Sequence, residues 1–353
     1  MTRKEIWYWM SGLSSWGGRT IQKLLKEFGS PEEIFASKKL PVTPAQQEEA
    51  DEAKRKAVTF PEELRVWEQQ GVRFLTQDEE EFPKRLAGLP DSPFFLFVKG
   101  SLPPPGPAVA VVGARKCTPY GIEQAEFFGR FLAEQGICVI SGMALGVDGS
   151  AQWGALRAGG YTCAVLGTGI DVCYPASHRQ LYEELEKSGG ILSEYGAGAP
   201  PLPYHFPLRN RIISGLSDLV LVVEARKKSG SLITADWALE QGKDVLALPG
   251  RMGSPLNEGC NRLIRQGAGI VAEPEDVLRA LGREKQDRKE AEEAELPPDE
   301  KEIWDCLGTD PKHLEQICRE TGWEVGAVLL ILLRLEMKEK VRQVGGNQYL
   351  RIL

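Results

Sequence analysis

Apolar runs and helical segments alternate along the middle of the chain. Five continuous apolar runs are separated by amphipathic stretches such as residues 120–136 and 231–242. The runs are AVAVVG (108–113), ICVIS (137–141), TCAVLG (162–167), LVLVV (219–223) and DVLALPG (244–250). Continuous apolar strands that alternate with helices are typical of a parallel sheet covered on both faces. The pattern predicts an α/β fold, a doubly wound and mostly parallel sheet, over residues 108–281.

The N-terminal segments have a different pattern. Residues 1–60 contain GLSSWGGRTIQKLLKEFG, a glycine-rich turn before a helix, which predicts a small helical domain. This turn is similar to a helix-hairpin-helix unit, which presents backbone amides to a phosphate. A plain helical packing module explains it equally well. Residues 61–107 are predicted to be a lead-in of one helix and two strands that ends in the proline-rich linker SLPPPGP.

The C-terminal part is predicted to be a separate small domain. Residues 282–298 include REKQDRKEAEEAELPP, a charge run of the kind found in solvated linkers. Residues 299–353 contain three helical segments and two strands around GGN (345–347), a turn signal. Three helices and a hairpin predict a winged helix. Its third helix balances basic and acidic residues, which favours a protein contact or self-association over entry into a duplex groove.

Bulk composition excludes several classes of protein. The net charge of −7 and the pI near 5.4 exclude a chain coated with basic charge, but not a local basic site. No apolar run approaches the roughly 20 residues of a membrane span, and the N-terminus lacks a signal-peptide pattern. The seven cysteines form no Cys-x-x-Cys pair, so we expect neither disulfides nor a zinc site. The chain is expected to be cytoplasmic, without membrane association, metal or cofactor.

Glycine and serine are concentrated in the turns that follow the predicted strands. In an open α/β sheet, ligands bind outside the carboxyl ends of the strands. Backbone amides of small residues can there approach an anion at a helix N-terminus. Several such turns at one edge predict an anion-binding trough, and the candidate residues are Gly113, Ser141, Gly142, Gly167, Gly169, Ser229, Gly230 and Ser231.

These turns do not match the standard nucleotide motifs. VGARKCTPYG differs from G-x-G-x-x-G, and the second strand ends in Ser141 and Gly142 rather than in a ribose-binding acid. The sequence contains no G-x-x-x-x-G-K-[ST] motif. Its three histidines show no triad or metal spacing. Asp148 and Glu194 follow strand ends and could act as acid or base, but we favour their interpretation as partners of nearby loop amides. We therefore expect no catalytic activity.

Basic residues cluster after the same strands. Between residues 205 and 230, five Lys and Arg residues stand against two acids. Unpaired bases stack on rings while phosphates meet Arg and Lys, so cations beside a ring are typical of single-stranded nucleic acid sites. Arg209 and Arg211 point in different directions on a helix, so one can hold structure or a dimer contact while the other binds. The candidates are Arg115, Phe206, Arg209, Asn210, Arg211, Lys227 and Lys228.

Seven blocks of the sequence carry a family resemblance. They resemble the bacterial DNA-processing protein A family (DprA, also called Smf) and cover essentially all of 108–270. The blocks are AVVGARKCTPYG, VISGMALGVDGSAQWGAL, AVLGTGIDVCYP, ILSEYGAG, FPLRNRIISGLSDLVLVVEA, SGSLITADWALEQGKDVLALPG and NEGCNRLIRQGA. It implies a variant Rossmann fold that binds and protects single-stranded DNA and forms homodimers through that domain. It also implies loading of the RecA recombinase during natural transformation, with competence proteins as further candidate partners.

The family motifs map onto residues 113–115, 206–211 and 229–231 of this sequence. The family's Gly-Ser-Arg turn falls on the first segment, its Phe-Pro-x-Arg-Asn-Arg block on the second and its Ser-Gly-Ser on the third. The pattern breaks at three positions, where a serine, a histidine and an asparagine of the family are replaced by Ala114, Gln152 and His178.

The same architecture also resembles that of nucleoside-monophosphate phosphoribohydrolases. Their phosphate loop is a Pro-Gly-Gly-x-Gly-Thr run that works with a catalytic glutamate. PGRMGSP (249–255) is a poor version of this loop and lacks the glutamate. The prediction is therefore a single-stranded DNA-binding protein without catalytic activity, and this enzyme class is the alternative.

Overall fold

The computed structural model describes residues 1–283, 297–308, 310–338 and 340–352. The chain divides into two compact units, Met1–Lys285 and Gln286–Leu353. The domain boundaries placed at residues 60 and 107 from the sequence therefore fall inside the first unit. The predicted linker at 282–298 lies largely outside the described residues. No helix in the described ranges is long and apolar enough to cross a membrane.

Five helices open the first unit, and side-chain caps define where several of them begin. Thr2 and Thr43 each form a capping box with the third helical residue, and the Ser30 hydroxyl accepts from the Glu33 amide. The N-terminal helical prediction is confirmed by α1 Arg3–Ser11, α2 Gly18–Phe28, α3 Pro31–Ala36 and α4 Pro44–Arg55, and α5 Phe60–Gln69 is the helix predicted for the lead-in.

Strands and helices then alternate to the end of the first unit. The lead-in contributes β1 Val72–Thr76, α6 Lys84–Ala87 and β2 Phe95–Gly100. The predicted strands and helices follow as β3 Ala108–Val112, α7 Pro119–Glu134, β4 Cys138–Ser141, α8 Val147–Arg157 and β5 Thr162–Leu166. The remaining elements are α9 Arg179–Ser188, β6 Gly190–Ser193, α10 His205–Leu216, β7 Leu219–Val222, α11 Gly230–Glu240, β8 Asp244–Ala247, α12 Glu258–Arg265, β9 Gly269–Ile270 and α13 Glu275–Ala280.

These strands form one nine-stranded sheet in the order β1-β2-β6-β5-β4-β3-β7-β8-β9. All neighbours from β6 to β9 are parallel, whereas β1 and β2 are antiparallel additions at the β6 edge. The predicted doubly wound, mostly parallel α/β sheet is thus confirmed. The strand order reverses between β3 and β7, and such a switch point is where open α/β sheets bind ligands.

Apolar residues cover both faces of the sheet. One cluster on the first face joins Ile140, Val165 and Val220 to residues of α10 and α11. On the other face, Trp7 and Trp9 of α1 belong to the same cluster as strand residues of β2, β5 and β6. The N-terminal helices therefore complete the core of the sheet, which explains why they belong to the first unit.

The second unit has its own small core and the predicted winged-helix elements. These are α14 Pro298–Cys306, β10 Lys312–His313, α15 Leu314–Thr321, α16 Val325–Met337, β11 Val341–Val344 and β12 Gln348–Arg351. The strands pair in the order β10-β12-β11. Gly346 and Asn347 have φ values of 79° and 56°, the left-handed conformation that the GGN turn signal predicts.

A basic groove at the switch point of the sheet

A groove of about 580 Å³ opens at the switch point. Its wall comes from the turn after β3, the loop from β7 to α11, and the first turns of α10 and α11. The predicted residues that line it are Gly113, Arg115, Phe206, Arg209, Asn210, Lys228, Ser229, Gly230 and Ser231. Segments separated by more than a hundred residues are therefore brought to one place. Among the described residues, five basic side chains and one acid, Asp148, line the groove.

The turn after β3 is held in place by the neighbouring strand β7. The Ala114 amide donates to the Glu224 carbonyl at 2.7 Å, which fixes the start of the turn. A Cβ on Gly113 would lie 2.6 Å from the Val147 side chain, so only glycine allows α8 to pack this closely. The constrained backbone directs the exposed Arg115 side chain over the groove.

The N-terminus of α11 forms the opposite wall. Ser229 caps this helix by accepting from the Ser231 amide, and the Asn210 side-chain amide donates to the Gly230 carbonyl at 3.1 Å. Nothing lies within 4 Å of the position that a Cβ on Gly230 would take. The first turn of α11 is therefore open to an approaching anion, which the helix dipole also favours.

An aromatic ring lies between two arginines on the floor of the groove. The Phe206 ring centroid is 5.0 Å from the Arg115 guanidinium carbon and 6.0 Å from that of Arg209. The Tyr174 ring lies 5.6 Å from Phe206 and is 40% exposed. A Cβ on Gly167 would lie 2.7 Å from the Phe206 ring, so this glycine leaves the room that the ring needs. Cations and flat side chains are thus adjacent, as stacked nucleotides require.

Arg209 is buried beneath this ring rather than exposed to solvent. Its guanidinium donates to the Gly142 carbonyl at 3.0 Å and also to the Val165 carbonyl. Burial lowers the pKa of Arg209 to about 10, and the neighbouring Asp148 opposes that shift. Burial also raises the pKa of Asp148, against the attraction of Arg209 and the hydrogen bond from the Gly142 amide. Arg209 and Asp148 therefore lie under the groove, where both hydrogen-bond to the backbone of Gly142.

Arg211 does not line the groove, which corrects the prediction that placed it there. It lies on the other side of α10 and donates to both carboxylate oxygens of Glu194 at 2.6 Å. The two side chains are 10% and 16% exposed. Arg211 borders a second cavity of about 980 Å³, next to the N-terminal helices. Arg211 therefore has a structural role, one of the two roles left open for this arginine pair.

Four other predicted residues lie inside the fold and offer no exposed donor. The Ser141 hydroxyl is buried and donates to the Val111 carbonyl at 2.7 Å. The Gly142 amide is taken by Asp148, and the Gly169 amide donates to the Ala199 carbonyl. Gly167 is buried below Phe206. These three glycines follow β4 and β5 and serve packing, so the predicted role of all four residues in direct anion contact is corrected.

The basic residues of the groove differ from the predicted set in two ways. Lys227 is exposed but does not line the groove, whereas Lys228 does. Lys116 and Arg226 line it and were not among the predicted residues. Lys116 directly follows the predicted Arg115, and Arg226 directly precedes Lys227. Their location in the turns after β3 and β7 could have indicated them as candidates.

Two of the family departures lie behind the groove. The Nδ1 atom of His178 is 3.1 Å from the Met143 carbonyl, and its ring packs against Gly149. Gln152 is fully buried, and neither atom of its amide has a hydrogen-bond partner among the described residues. Neither side chain lines the groove, whereas Ala114 does.

Family models and curated relatives all match this chain to DNA-processing proteins. The model of the family DNA recombination-mediator protein A matches residues 73–282, and that of the DprA winged helix domain matches residues 287–347. Protein Smf of Escherichia coli is 39% identical over 295 residues, which cover 81% of this chain and 79% of that protein. The DNA processing protein DprA of Streptococcus pneumoniae is 45% identical over 198 residues, covering 56% of this chain and 70% of that protein.

Two solved structures of such proteins are also similar. The structure of DprA from Streptococcus pneumoniae has a TM-score of 0.66 at 34% identity and covers 79% of this chain and 98% of that one. A structure of DNA processing protein A from Helicobacter pylori, described for its single-stranded DNA binding mode, has a TM-score of 0.53 at 32% identity. It covers 59% of this chain and 95% of that one.

Proposed function

The chain belongs to the DNA recombination-mediator protein A family, and we propose that its first unit binds single-stranded DNA along the basic groove at the switch point of the sheet. Membership supports a DNA-processing role in recombination. The observation that carries the proposal is the contact of Arg115 with Phe206 beside the open N-terminus of α11.

The groove accounts for selection of a single strand by its shape and chemistry. Phosphates would lie over Arg115, Lys228 and the first turn of α11, where cations and backbone amides converge. An unpaired base would stack on the exposed Tyr174 ring beside Phe206, since the Phe206 ring itself lies between Arg115 and Arg209. A duplex keeps its bases paired and cannot offer a flat face to these rings. Because the contacts go to the backbone and to stacked bases, binding would not depend on sequence.

A finer function extends this binding. We infer that the protein protects incoming single-stranded DNA and loads the RecA recombinase during natural transformation and recombination, and that it does so in the cytoplasm without catalysing a reaction. We also infer a homodimer formed through the Rossmann-like sheet, with competence proteins as further partners.

Fluorescence anisotropy tests the DNA site. Wild-type protein and the Arg115→Glu variant are titrated against labelled poly-dT, a duplex of the same length and, by competition, AMP. We expect wild type to prefer the single strand and Arg115→Glu to bind it at least tenfold more weakly, because a cation at the rim is replaced by an anion. Arg115 is exposed, so the melting temperature should change little.

Two results would contradict the proposal. Equal binding of poly-dT by Arg115→Glu and wild type would place the DNA elsewhere. Tight AMP binding with release of adenine would instead favour the nucleoside-monophosphate phosphoribohydrolase alternative.

A further inference from the structure

The outward face of α16 is apolar and is not covered by the rest of the second unit. Val325, Leu329, Leu330, Leu333 and Met337 are between 39% and 79% exposed. The opposite face of the same helix supplies four residues of the small core. A helix that is apolar all round is normally buried all round. The second unit therefore buries only one side of α16, and the exposed apolar side is a candidate interface.

The size of this face suits a weak interface. The five side chains expose on the order of 500 Å² of apolar surface, and on monomeric proteins contiguous patches of this size often mark interaction sites. Two such faces together would bury roughly 1,000 Å², near the lower limit of specific protein interfaces. The area is enough for a reversible contact between two copies.

The charges around α16 argue against nucleic acid as the occupant. None of the five outward residues is charged. Arg334 lies 4.0 Å from Asp299, and Lys338 lies 2.6 Å from Glu300, so both cations at the side of the face already have acidic neighbours. A groove-reading helix needs donors for base edges and phosphates on its exposed face. An apolar face instead fits another apolar face.

We propose that α16 pairs with the α16 helix of a second copy in antiparallel orientation. The N-terminal end of the face carries small residues, Val325 and Gly326, and its C-terminal end carries the long Met337 side chain. Antiparallel pairing places small residues opposite large ones and opposes the two helix dipoles. Parallel pairing would instead bring the exposed Glu324 side chains of the two copies together.

This proposal is independent of the DNA groove, because it concerns only residues of the second unit. In the antiparallel arrangement, Val325 of one copy lies beside Met337 of the other, and Leu329 lies beside Leu333. Position 325 should therefore meet position 337 and not itself.

Disulfide trapping with the full chain tests this register. A Val325→Cys protein and a Met337→Cys protein are oxidised mildly, separately and as an equimolar mixture, and the linked peptides are identified by mass spectrometry. The wild-type chain, with its seven cysteines, gives the background. We expect the 325–337 link in the mixture to form at least fivefold more than the 325–325 or 337–337 link. Addition of Leu333→Glu to both proteins should reduce it at least fivefold, and Gln343→Glu, an exposed control on β11, should not.

Three outcomes would overturn the proposal. One is a 325–337 link no more abundant than either homotypic link. Another is a link that persists with Leu333→Glu. The third is a dominant link from either new cysteine to a native cysteine of the first unit, which would mean that α16 is covered within the chain or by a different surface.

Discussion

Arg209 and Arg211 lie two positions apart on α10 and have different roles. Arg209 lies under Phe206 in the floor of the groove, next to Asp148. Arg211 lies on the other side of α10, paired with Glu194. The direction of each side chain follows from the helical period, which the sequence provides. Which of the two faces the groove depends on how α10 packs, and that information is not local.

The largely buried ion pair of Arg211 and Glu194 predicts that substitution of Arg211 lowers stability rather than DNA affinity. Arg211→Leu should lower the free energy of unfolding by about 3 kcal/mol, because Glu194 would keep its charge without a partner in a largely buried place. Urea denaturation measures this loss. The double variant with Glu194→Leu should recover part of it, since no isolated charge remains. Loss of poly-dT binding by Arg211→Leu at unchanged stability would contradict the assignment.

Lys243 predicts a pH dependence at residue scale. Its ammonium donates to the Ser214 and Gly215 carbonyls at the end of α10, and burial lowers the pKa of Lys243 to about 8, with nearby Arg85 acting in the same direction. Between this value and the ordinary lysine pKa near 10.5, the unfolded chain holds a proton that the native chain has lost. The contribution of Lys243 to stability therefore rises with pH across this window.

Urea denaturation of wild type and Lys243→Gln at pH 7, 8.5 and 10 isolates the contribution of Lys243 to the free energy of unfolding. The free energy of unfolding of wild type minus that of the variant should increase from pH 7 to pH 10. A flat difference would show that Lys243 keeps an ordinary pKa in the native state, and a falling one would show that its pKa is raised; either contradicts the prediction.

At the scale of elements, α11 is placed so that its N-terminus borders the groove. The Ser229 cap and Asn210 fix the start of the helix, and Gly230 leaves its first turn uncovered. The SGS motif signals such a start from the sequence alone. That this helix N-terminus meets the turn after β3 could not be predicted locally, because 113 and 230 are far apart in the chain.

Gly230 and Gly18 allow a matched test of the exposed helix start. Each is the first residue of a helix, and a Cβ on either would meet nothing within 4 Å. Gly230→Ala should keep the wild-type melting temperature but weaken poly-dT binding about fivefold, because the methyl group occupies the space through which a phosphate reaches the amides. Gly18→Ala should leave binding unchanged in the same anisotropy assay.

The two outcomes also separate two regions of the chain. Weaker binding by Gly18→Ala, with Gly230→Ala unaffected, would move the DNA site to the glycine turn before α2. That result would support the helix-hairpin-helix interpretation of the N-terminal segment.

Short elements were the least predictable from sequence. The strand β6, Gly190–Ser193, has only two large apolar residues, and β9 has two residues in all, too few for a clear apolar run. Because β6 was not recognised, nothing indicated that β2 would extend the main sheet through antiparallel pairing of Phe97 with Ser193. The five strands that lie in longer apolar runs, in contrast, were predicted within a few residues of their bounds.

At the scale of the whole molecule, local charge determines the site although the chain is acidic overall. The net charge is −7, yet five basic residues and one acid line the groove. The sequence predicts the five strands β3, β4, β5, β7 and β8 and the helices between them, and it places the ligand site at the strand ends. The sequence could not show that β3 and β7 are neighbours. This adjacency brings residues 113–116 and 226–231 together.

Lys227 and Lys228 provide the most direct measurement of the central claim, since they are adjacent, identical and exposed but only Lys228 lines the groove. Poly-dT affinity of Lys227→Glu and Lys228→Glu is measured over a range of salt concentrations. The groove predicts that Lys228→Glu binds at least fivefold more weakly and that its slope of log affinity against log salt is shallower by roughly 0.7, one phosphate contact. Lys227→Glu should stay within about twofold of wild type at each salt concentration, allowing for one distant charge. Equal losses in the two variants, or a larger loss for Lys227→Glu, would contradict a DNA path through the groove.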